Sequence, residues 1–198
     1  MNSILSTCGT SLLTNEIEPS KRSLIYKYSN FSAEELKKTA DWNELQTLLS
    51  NIKRKFLEAA PNEASNLSAE WSCLQGFMDK HHHQMADWKH YILPTDTYLG
   101  QQTASILAEK ISSQGGEVII LNQRYLQTQN ASLFKKGISE LEVLLQNTFT
   151  AQENQQVIFN LTGGFKILNA YLQTLALKLA TKSIYTFERT PDIIEIPS

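Results

Sequence analysis

Short apolar runs along the chain alternate with segments in which apolar residues recur at helical spacing. Runs of this kind are typical of buried strands, and the segments between them are typical of amphipathic helices. The predicted strands are 3–8, 91–94, 117–121, 156–161, 182–187 and 193–196, and the predicted helices after residue 91 are 97–112, 132–149 and 164–180. This alternation predicts an α/β fold, a Rossmann-like and mostly parallel sheet flanked by helices on both faces.

A helical region, residues 20–90, separates the first predicted strand from the rest. Ser32, with Glu35 three residues later, forms a capping-box signature of a helix start. Apolar residues then recur at roughly helical spacing as far as Leu57, Pro61 marks a break, and a second helix is predicted over 68–83. We interpret the region as an insertion in a single domain that spans 1–198. The hairpin-like link 189–192 predicts an antiparallel edge at the C-terminus.

Composition and charge narrow the class of protein. The 198 residues, 41% hydrophobic and 19% charged, are ordinary for a globular domain. A formal net charge of −2 argues against binding along DNA or RNA, which needs many cations, but it permits one focused anion site. Cys8 and Cys73 have no CxxC partner, so we expect a reducing cytoplasm, with Cys8 as a small buried side chain. We find no signal peptide and no apolar run long enough to span a membrane.

Two loops that follow predicted strands carry the candidate chemistry. In open α/β sheets, ligands bind at the carboxyl ends of the strands, and residues 9–15 and 162–166 both lie there. In the second loop, Gly163 and Gly164 permit close approach to a ligand, and the helix that follows offers free N–H groups to an anion. Thr162 adds a hydroxyl. Lys166 places a cation in the first helical turn, where the helix dipole disfavours it unless an anion is bound.

The same turn also has a purely structural interpretation. It can join a strand to a helix with Lys166 in solvent, and the turn alone leaves both interpretations open. It is neither a P-loop nor a dinucleotide fingerprint, because GxxxxGK[ST] and GxGxxG are both absent. No acidic ribose ligand follows the first strand, so an ordinary nucleotide-binding Rossmann enzyme is disfavoured.

The motifs STCGTSLLTN (6–15) and NLTGGFK (160–166), with LPTDT (93–97) between them, resemble the CRISPR-associated Rossmann-fold (CARF) family. The likeness is greatest to its small stand-alone members, the ring nucleases, and it carries no signature over 20–90. The resemblance implies a homodimer that binds cyclic oligoadenylate, usually cyclic tetra-adenylate. It further implies cleavage of that ring, which switches off type III CRISPR signalling.

The resemblance implies that Ser11 and Lys166 carry the reaction. A ribose 2′-hydroxyl attacks its adjacent phosphate and leaves linear products with a 2′,3′-cyclic phosphate, so neither a metal nor a cofactor is required. The expected ligand contacts come from the two loops and from the end of the strand before Thr97, namely Gly9, Thr10, Asp96, Thr162, Gly163, Gly164 and Phe165. A further basic residue often assists in the family, and Arg124 is a candidate.

Several alternatives stay open. A CARF sensor that binds cyclic oligoadenylate and regulates a partner would have the same loops. Because effector members usually carry a further domain, a chain that ends soon after its last strands favours turnover.

The histidines of 81–83, together with His90, are interpreted as a solvated helix end rather than a metal site. Asp96 either contacts ligand or caps the next helix. The tryptophans, expected to pack the helical region, are Trp42, Trp71 and Trp88.

Overall fold

A six-stranded sheet organises the part of the chain that the computed structural model describes, residues 1–15, 17–127, 129–149, 155–187 and 192–198. The strand order is β3-β2-β1-β4-β5-β6, with parallel pairing from β3 to β5 and antiparallel pairing of β5 with β6. The strands are β1 (Asn2–Cys8), β2 (Trp88–Pro94), β3 (Glu117–Ile120), β4 (Val157–Asn160), β5 (Lys182–Thr186) and β6 (Ile193–Pro197). The predicted Rossmann-like sheet and its antiparallel edge are confirmed. Of the predicted link 189–192, all but Asp192 lies outside the described residues.

The strand order reverses between β1 and β4. Successive crossovers place β2 and then β3 on one side of β1, whereas β4 and β5 lie on the other side. Ser6 of β1 pairs with Asn160 of β4, so the two strands reach the same edge of the sheet together. Such a switch point leaves a crevice at the carboxyl ends of the strands, which is where open α/β sheets bind ligands.

Helices cover both faces of the sheet. Because successive strand side chains point to opposite faces, Ile4 packs in the core beneath α2–α7 and Leu5 packs in the core beneath α8 and α9. The helices are α1 (Ser11–Thr14), α2 (Pro19–Lys27), α3 (Ala33–Leu36), α4 (Trp42–Glu58), α5 (Pro61–Leu67), α6 (Ala69–His81), α7 (Tyr98–Ser113), α8 (Ala131–Thr148) and α9 (Lys166–Leu179). In the described ranges, no helix is long and apolar enough to cross a membrane.

The helical region departs from the prediction at three points. The apolar series that continues to Leu57 is divided, because α3 ends at Leu36 and α4 begins at Trp42. The break predicted at Pro61 is present, since α4 ends at Glu58, but Pro61 also begins an additional helix, α5, because proline is pre-organised for the first position of a helix. The strand predicted to begin at Tyr91 begins at Trp88, which places both Trp88 and His90 inside the sheet.

The aromatic and histidine side chains of this region are mostly packed. Trp71 is buried against Phe56, with ring centroids 6.1 Å apart, and Trp42 packs on Tyr98 at 5.4 Å. His90 was predicted to lie at a solvated helix end, and this is wrong. It is buried in β2, its Nε2 lies 3.0 Å from the Met85 carbonyl oxygen, and burial lowers its pKa.

Candidate functional site

A groove with a volume of about 1190 Å³ opens at the carboxyl ends of β1 and β4. Residues 9–15 and the turn 162–164 contribute to its lining, and α2, α5 and α6 supply other parts of the wall. This volume exceeds the 300–1000 Å³ of most small-molecule sites. The groove is therefore large enough for a ligand bigger than a mononucleotide.

The two predicted loops touch each other in the groove. A Cβ atom added to Gly9 would lie only 2.8 Å from the backbone nitrogen of Gly164, so the close contact requires glycine. The Thr7 hydroxyl donates a hydrogen bond of 2.7 Å to the Gly163 carbonyl oxygen, and the Asn169 amide donates another of 2.7 Å to the same oxygen. The TGG turn is thus held from the β1 side and from α9.

The backbone N–H groups of the turn are available to a ligand. Across the described ranges, no group accepts a hydrogen bond from the N–H of Gly163 or Gly164. Gly164 has a φ of +83°, a left-handed conformation that favours glycine. Since α9 begins two residues later, its positive dipole end adds to the attraction for an anion.

Six of the predicted site residues come together in this groove, and the others lie elsewhere. The six that line it are Gly9, Thr10, Ser11, Thr162, Gly163 and Gly164. Lys166 is exposed at the first position of α9, two residues after the turn but outside the groove lining. Phe165 occupies the N-cap position of α9, without a capping hydrogen bond from its side chain, and packs against the apolar core on the α8–α9 face.

Asp96 lies just after β2, and Arg124 lies in the loop after β3. Neither residue is part of the groove lining. An Asp96 carboxylate oxygen accepts a hydrogen bond of 2.7 Å from the Tyr125 backbone N–H, next to Arg124. The alternative role of Asp96 as a helix cap is wrong, because the Thr97 hydroxyl accepts from the Gly100 N–H at 3.1 Å and caps α7 itself.

A buried carboxylate, Glu70, joins the two loops and was not predicted. It lies in the first turn of α6, and its side chain is fully buried. Its Oε1 accepts from the Gly9 N–H at 2.9 Å, and its Oε2 accepts from the hydroxyls of Ser11 and of Ser68, the latter at 2.9 Å. A Cβ atom on Gly163 would lie 2.1 Å from Oε1, so the carboxylate also abuts the TGG turn.

Glu70 also affects the two cysteines. Burial raises the pKa of Cys8 well above its usual range, and the negative charge of Glu70 adds to the effect. Burial raises the pKa of Cys73 to about 12. A hydrogen bond with Thr162 acts to lower this pKa, whereas the negative charge of Glu70 acts to raise it. Both thiols are therefore neutral at pH 7, and Cys8 is the small buried side chain that the sequence predicts.

The helical region supplies a cation to the groove. Arg22 of α2 lines it, and its Nε is buried and has no hydrogen-bond partner in the part of the chain that the structure describes. No other Lys or Arg belongs to the lining formed by the described residues. Tyr26, one helical turn further along α2, lines the same wall, and Phe187 lies at the end of β5; both side chains are exposed.

Comparison with known proteins identifies the family of the chain. No curated protein matches the chain. A family model described as CRISPR-associated protein (Cas_APE2256) matches residues 65–198, more than half of the chain. The matched segment contains Glu70, the TGG turn and Lys166, whereas the loop 9–15 precedes it. The chain therefore belongs to the CRISPR-associated Cas_APE2256 family.

Proposed function

We propose that this protein binds cyclic oligoadenylate in the groove, with cyclic tetra-adenylate as the expected ring, and cleaves it to linear products that end in a 2′,3′-cyclic phosphate. Cleavage of the ring would end type III CRISPR signalling. The observation that carries the proposal is the contact between the loop 9–15 and the TGG turn, in a groove of about 1190 Å³ where the N–H groups of Gly163 and Gly164 have no acceptor among the described residues.

Anionic ligands are favoured by three features of the groove. The N–H groups of Gly163 and Gly164 and the start of α9 attract a phosphate. Arg22 offers a guanidinium whose planar fork suits phosphate oxygens. In this proposal Arg22, rather than Arg124, is the assisting basic residue, because Arg22 lines the groove and Arg124 does not.

The aromatic side chains on the groove wall fit a ligand that carries bases. Tyr26 and Phe187 are large exposed rings on a surface that also holds a cation. Stacking of a base on an aromatic ring contributes about 1–3 kcal/mol. A purine-rich ring with several phosphates satisfies both the aromatic and the anion-binding features of the groove, whereas inorganic phosphate satisfies only the second.

The proposed chemistry needs positioning and charge stabilisation. The groove holds one ribose so that its 2′-oxygen lies in line with the adjacent phosphorus and the leaving 5′-oxygen. The TGG N–H groups and the Lys166 ammonium stabilise the charge that develops on the phosphate oxygens. Lys166 begins α9 two residues after the turn, and in this proposal its flexible four-carbon stem brings the amine to the bound phosphate.

Product analysis tests the proposal directly. Purified protein in molar excess is incubated with cyclic tetra-adenylate in EDTA, and the products are separated and identified by mass. We expect linear oligoadenylates with a 2′,3′-cyclic phosphate terminus and no loss of rate from chelation. Intact ring after hours of incubation would contradict the nuclease proposal.

One observation favours a second function. Lys166 lies outside the groove lining, so a protein that holds the ring without cutting it has the same binding surface. Such a sensor would regulate a partner through the bound ligand. A thermal-shift titration with cyclic oligoadenylate, run beside the cleavage assay, separates the two functions: stabilisation without products supports the sensor.

A further inference from the structure

The hydrogen bonds of Ser11 determine what its hydroxyl can offer a ligand. A serine hydroxyl has one proton to donate and two lone pairs to accept with. In this structure the Ser11 proton is donated to Oε2 of Glu70, and one lone pair accepts from the Ala69 N–H at 3.2 Å. One lone pair is left over, and Ser11 lines the groove.

Ser11 therefore presents an acceptor to the groove, whereas binding of a phosphate oxygen would need a donor. A phosphate oxygen next to Ser11 meets a lone pair, and the Glu70 carboxylate lies behind it. A ribose 2′-hydroxyl is different, because it can donate its proton to that lone pair. The polarity of the site thus places the sugar hydroxyl, and not the phosphate, against Ser11.

Glu70 is suited to receive a proton through Ser11. Its carboxylate is fully buried and is held by three donors, the Gly9 N–H and the hydroxyls of Ser11 and Ser68. Within the described residues it has no ion-pair partner. No described cation therefore competes with a proton for the Glu70 carboxylate, and the Ser11 hydroxyl leads from the groove to it.

We propose that Glu70 is a positioning residue that makes Ser11 the proton acceptor for the attacking ribose 2′-hydroxyl. As the 2′-oxygen forms its bond to phosphorus, its proton passes to Ser11 Oγ, and the Ser11 proton passes to Glu70 Oε2. The bond between phosphorus and the 5′-oxygen breaks, and that oxygen takes a proton from water in the open groove. The hydroxide left behind is neutralised by the proton that returns from Glu70 through Ser11. This relay rests on the proposed function and assigns the proton path within it.

The pH dependence of cleavage tests the relay. Among the described residues, the thiols of Cys8 on β1 and Cys73 on α6 interact electrostatically with Glu70, and both are neutral across the acid range. The other charged side chains in the described groove lining are Arg22 of α2 and Asp79 of α6, while the turn after β4 presents Gly163. Because the relay ends on a carboxylate, the wild-type single-turnover rate should have an acid limb, that is, it should fall as the pH is lowered.

The decisive variant is Glu70→Gln, which keeps the shape of the side chain and removes its basicity. We expect the rate at neutral pH to fall by about 10²–10⁴-fold, the usual contribution of general-base catalysis. We also expect the acid limb of the pH profile to disappear, while the Kd for cyclic tetra-adenylate changes little. An acid limb in Glu70→Gln identical to that of the wild type would overturn the relay.

Two further variants show whether the effect of Glu70→Gln comes from loss of the relay. Ser11→Ala keeps the bonds of Glu70 to Gly9 and Ser68 but removes the middle of the relay, so its slow cleavage should show the same flat profile. Glu44→Gln changes an exposed carboxylate in the first turn of α4 and should behave like the wild type. Unchanged thermal melting of the variants shows that they remain folded.

Cleavage by the wild-type protein shows whether the nuclease proposal has failed or only the relay. If it does not cleave the ring, the proposed nuclease fails and the relay fails with it. If it cleaves and Glu70→Gln retains the wild-type acid limb, only the relay fails and the nuclease proposal stands.

Discussion

Lys166 places a positive charge at the end of α9 where the helix dipole is already positive. It is exposed at the first helical position and follows Gly164, whose N–H group is unpaired within the described residues. Such a cation costs a few tenths of a kcal/mol to about 1 kcal/mol when no anion is near. A phosphate bound on the TGG turn would reverse the sign of that interaction, which is the residue-scale argument for a role of Lys166 in the reaction.

Lys166→Ala is therefore expected to slow single-turnover cleavage of cyclic tetra-adenylate by at least about 10²-fold, the effect of losing one stabiliser of developing charge. The same change should leave the free energy of unfolding unchanged or slightly higher, since an unfavourable charge is removed. Lys178→Ala provides the matched control, because Lys178 is exposed in the last turn of the same helix. Wild-type rates in Lys166→Ala would remove Lys166 from the mechanism.

Single residues differ in how far sequence alone can place them. Ser11 and the TGG turn were predictable, because parallel strands bring their carboxyl ends to one edge of a sheet. Glu70 was not, since its bonds to Gly9 and Ser11 join positions about sixty residues apart and arise only when α6 packs across β1 and β4. Asp96 follows a parallel strand too, but β2 lies on the far side of β1 from the TGG turn.

Among the elements, the strands were predictable and the breaks between the helices were not. Strands that are buried on both faces lack the alternation of buried and exposed residues, which fits β1 and β4: apart from Asn2, every residue of these two strands is buried. The break between α3 and α4 depends instead on tertiary contacts. The Asp41 carboxylate accepts hydrogen bonds of 2.7 Å from both Lys27 and Tyr28 of the α2 segment, which fixes the chain just before α4. The spacing of apolar residues gives no information about those hydrogen bonds, so the break could not be predicted from it.

Arg22→Gln tests whether α2 contributes to ligand binding. Hydrogen bonds to charged groups contribute about 1.5–3 kcal/mol, so loss of the guanidinium should raise the Kd for cyclic tetra-adenylate by about 10–100-fold. Arg54→Gln on α4 removes an exposed arginine that is not part of the groove lining and should leave the Kd unchanged. Isothermal titration at fixed ionic strength measures both. Equal affinities in the two variants would show that α2 is only structural.

The whole molecule presents an open groove lined by exposed aromatic side chains, with a further exposed apolar side chain at the start of α9. Tyr26 and Phe187 line the groove, and Ile167 follows Lys166 at the start of α9; all three are exposed. A cyclic ligand has several equivalent phosphates, and a single TGG turn offers only a few N–H groups. Two chains related by a two-fold axis would surround such a ring with two equivalent turns, which is the physical reason to propose a homodimer.

Ile167→Glu tests the proposed dimer against a closely matched control. Ile167 is 60% exposed and Leu177 is 61% exposed on the same helix, but Ile167 follows the TGG turn and Leu177 lies near the opposite end. A carboxylate in an apolar interface loses hydration without gaining a partner, so Ile167→Glu should give the mass of one chain by light scattering and should lower cleavage. Leu177→Glu should keep the mass of two chains and the wild-type rate. A wild-type protein that cleaves the ring as a monomer would contradict the dimer.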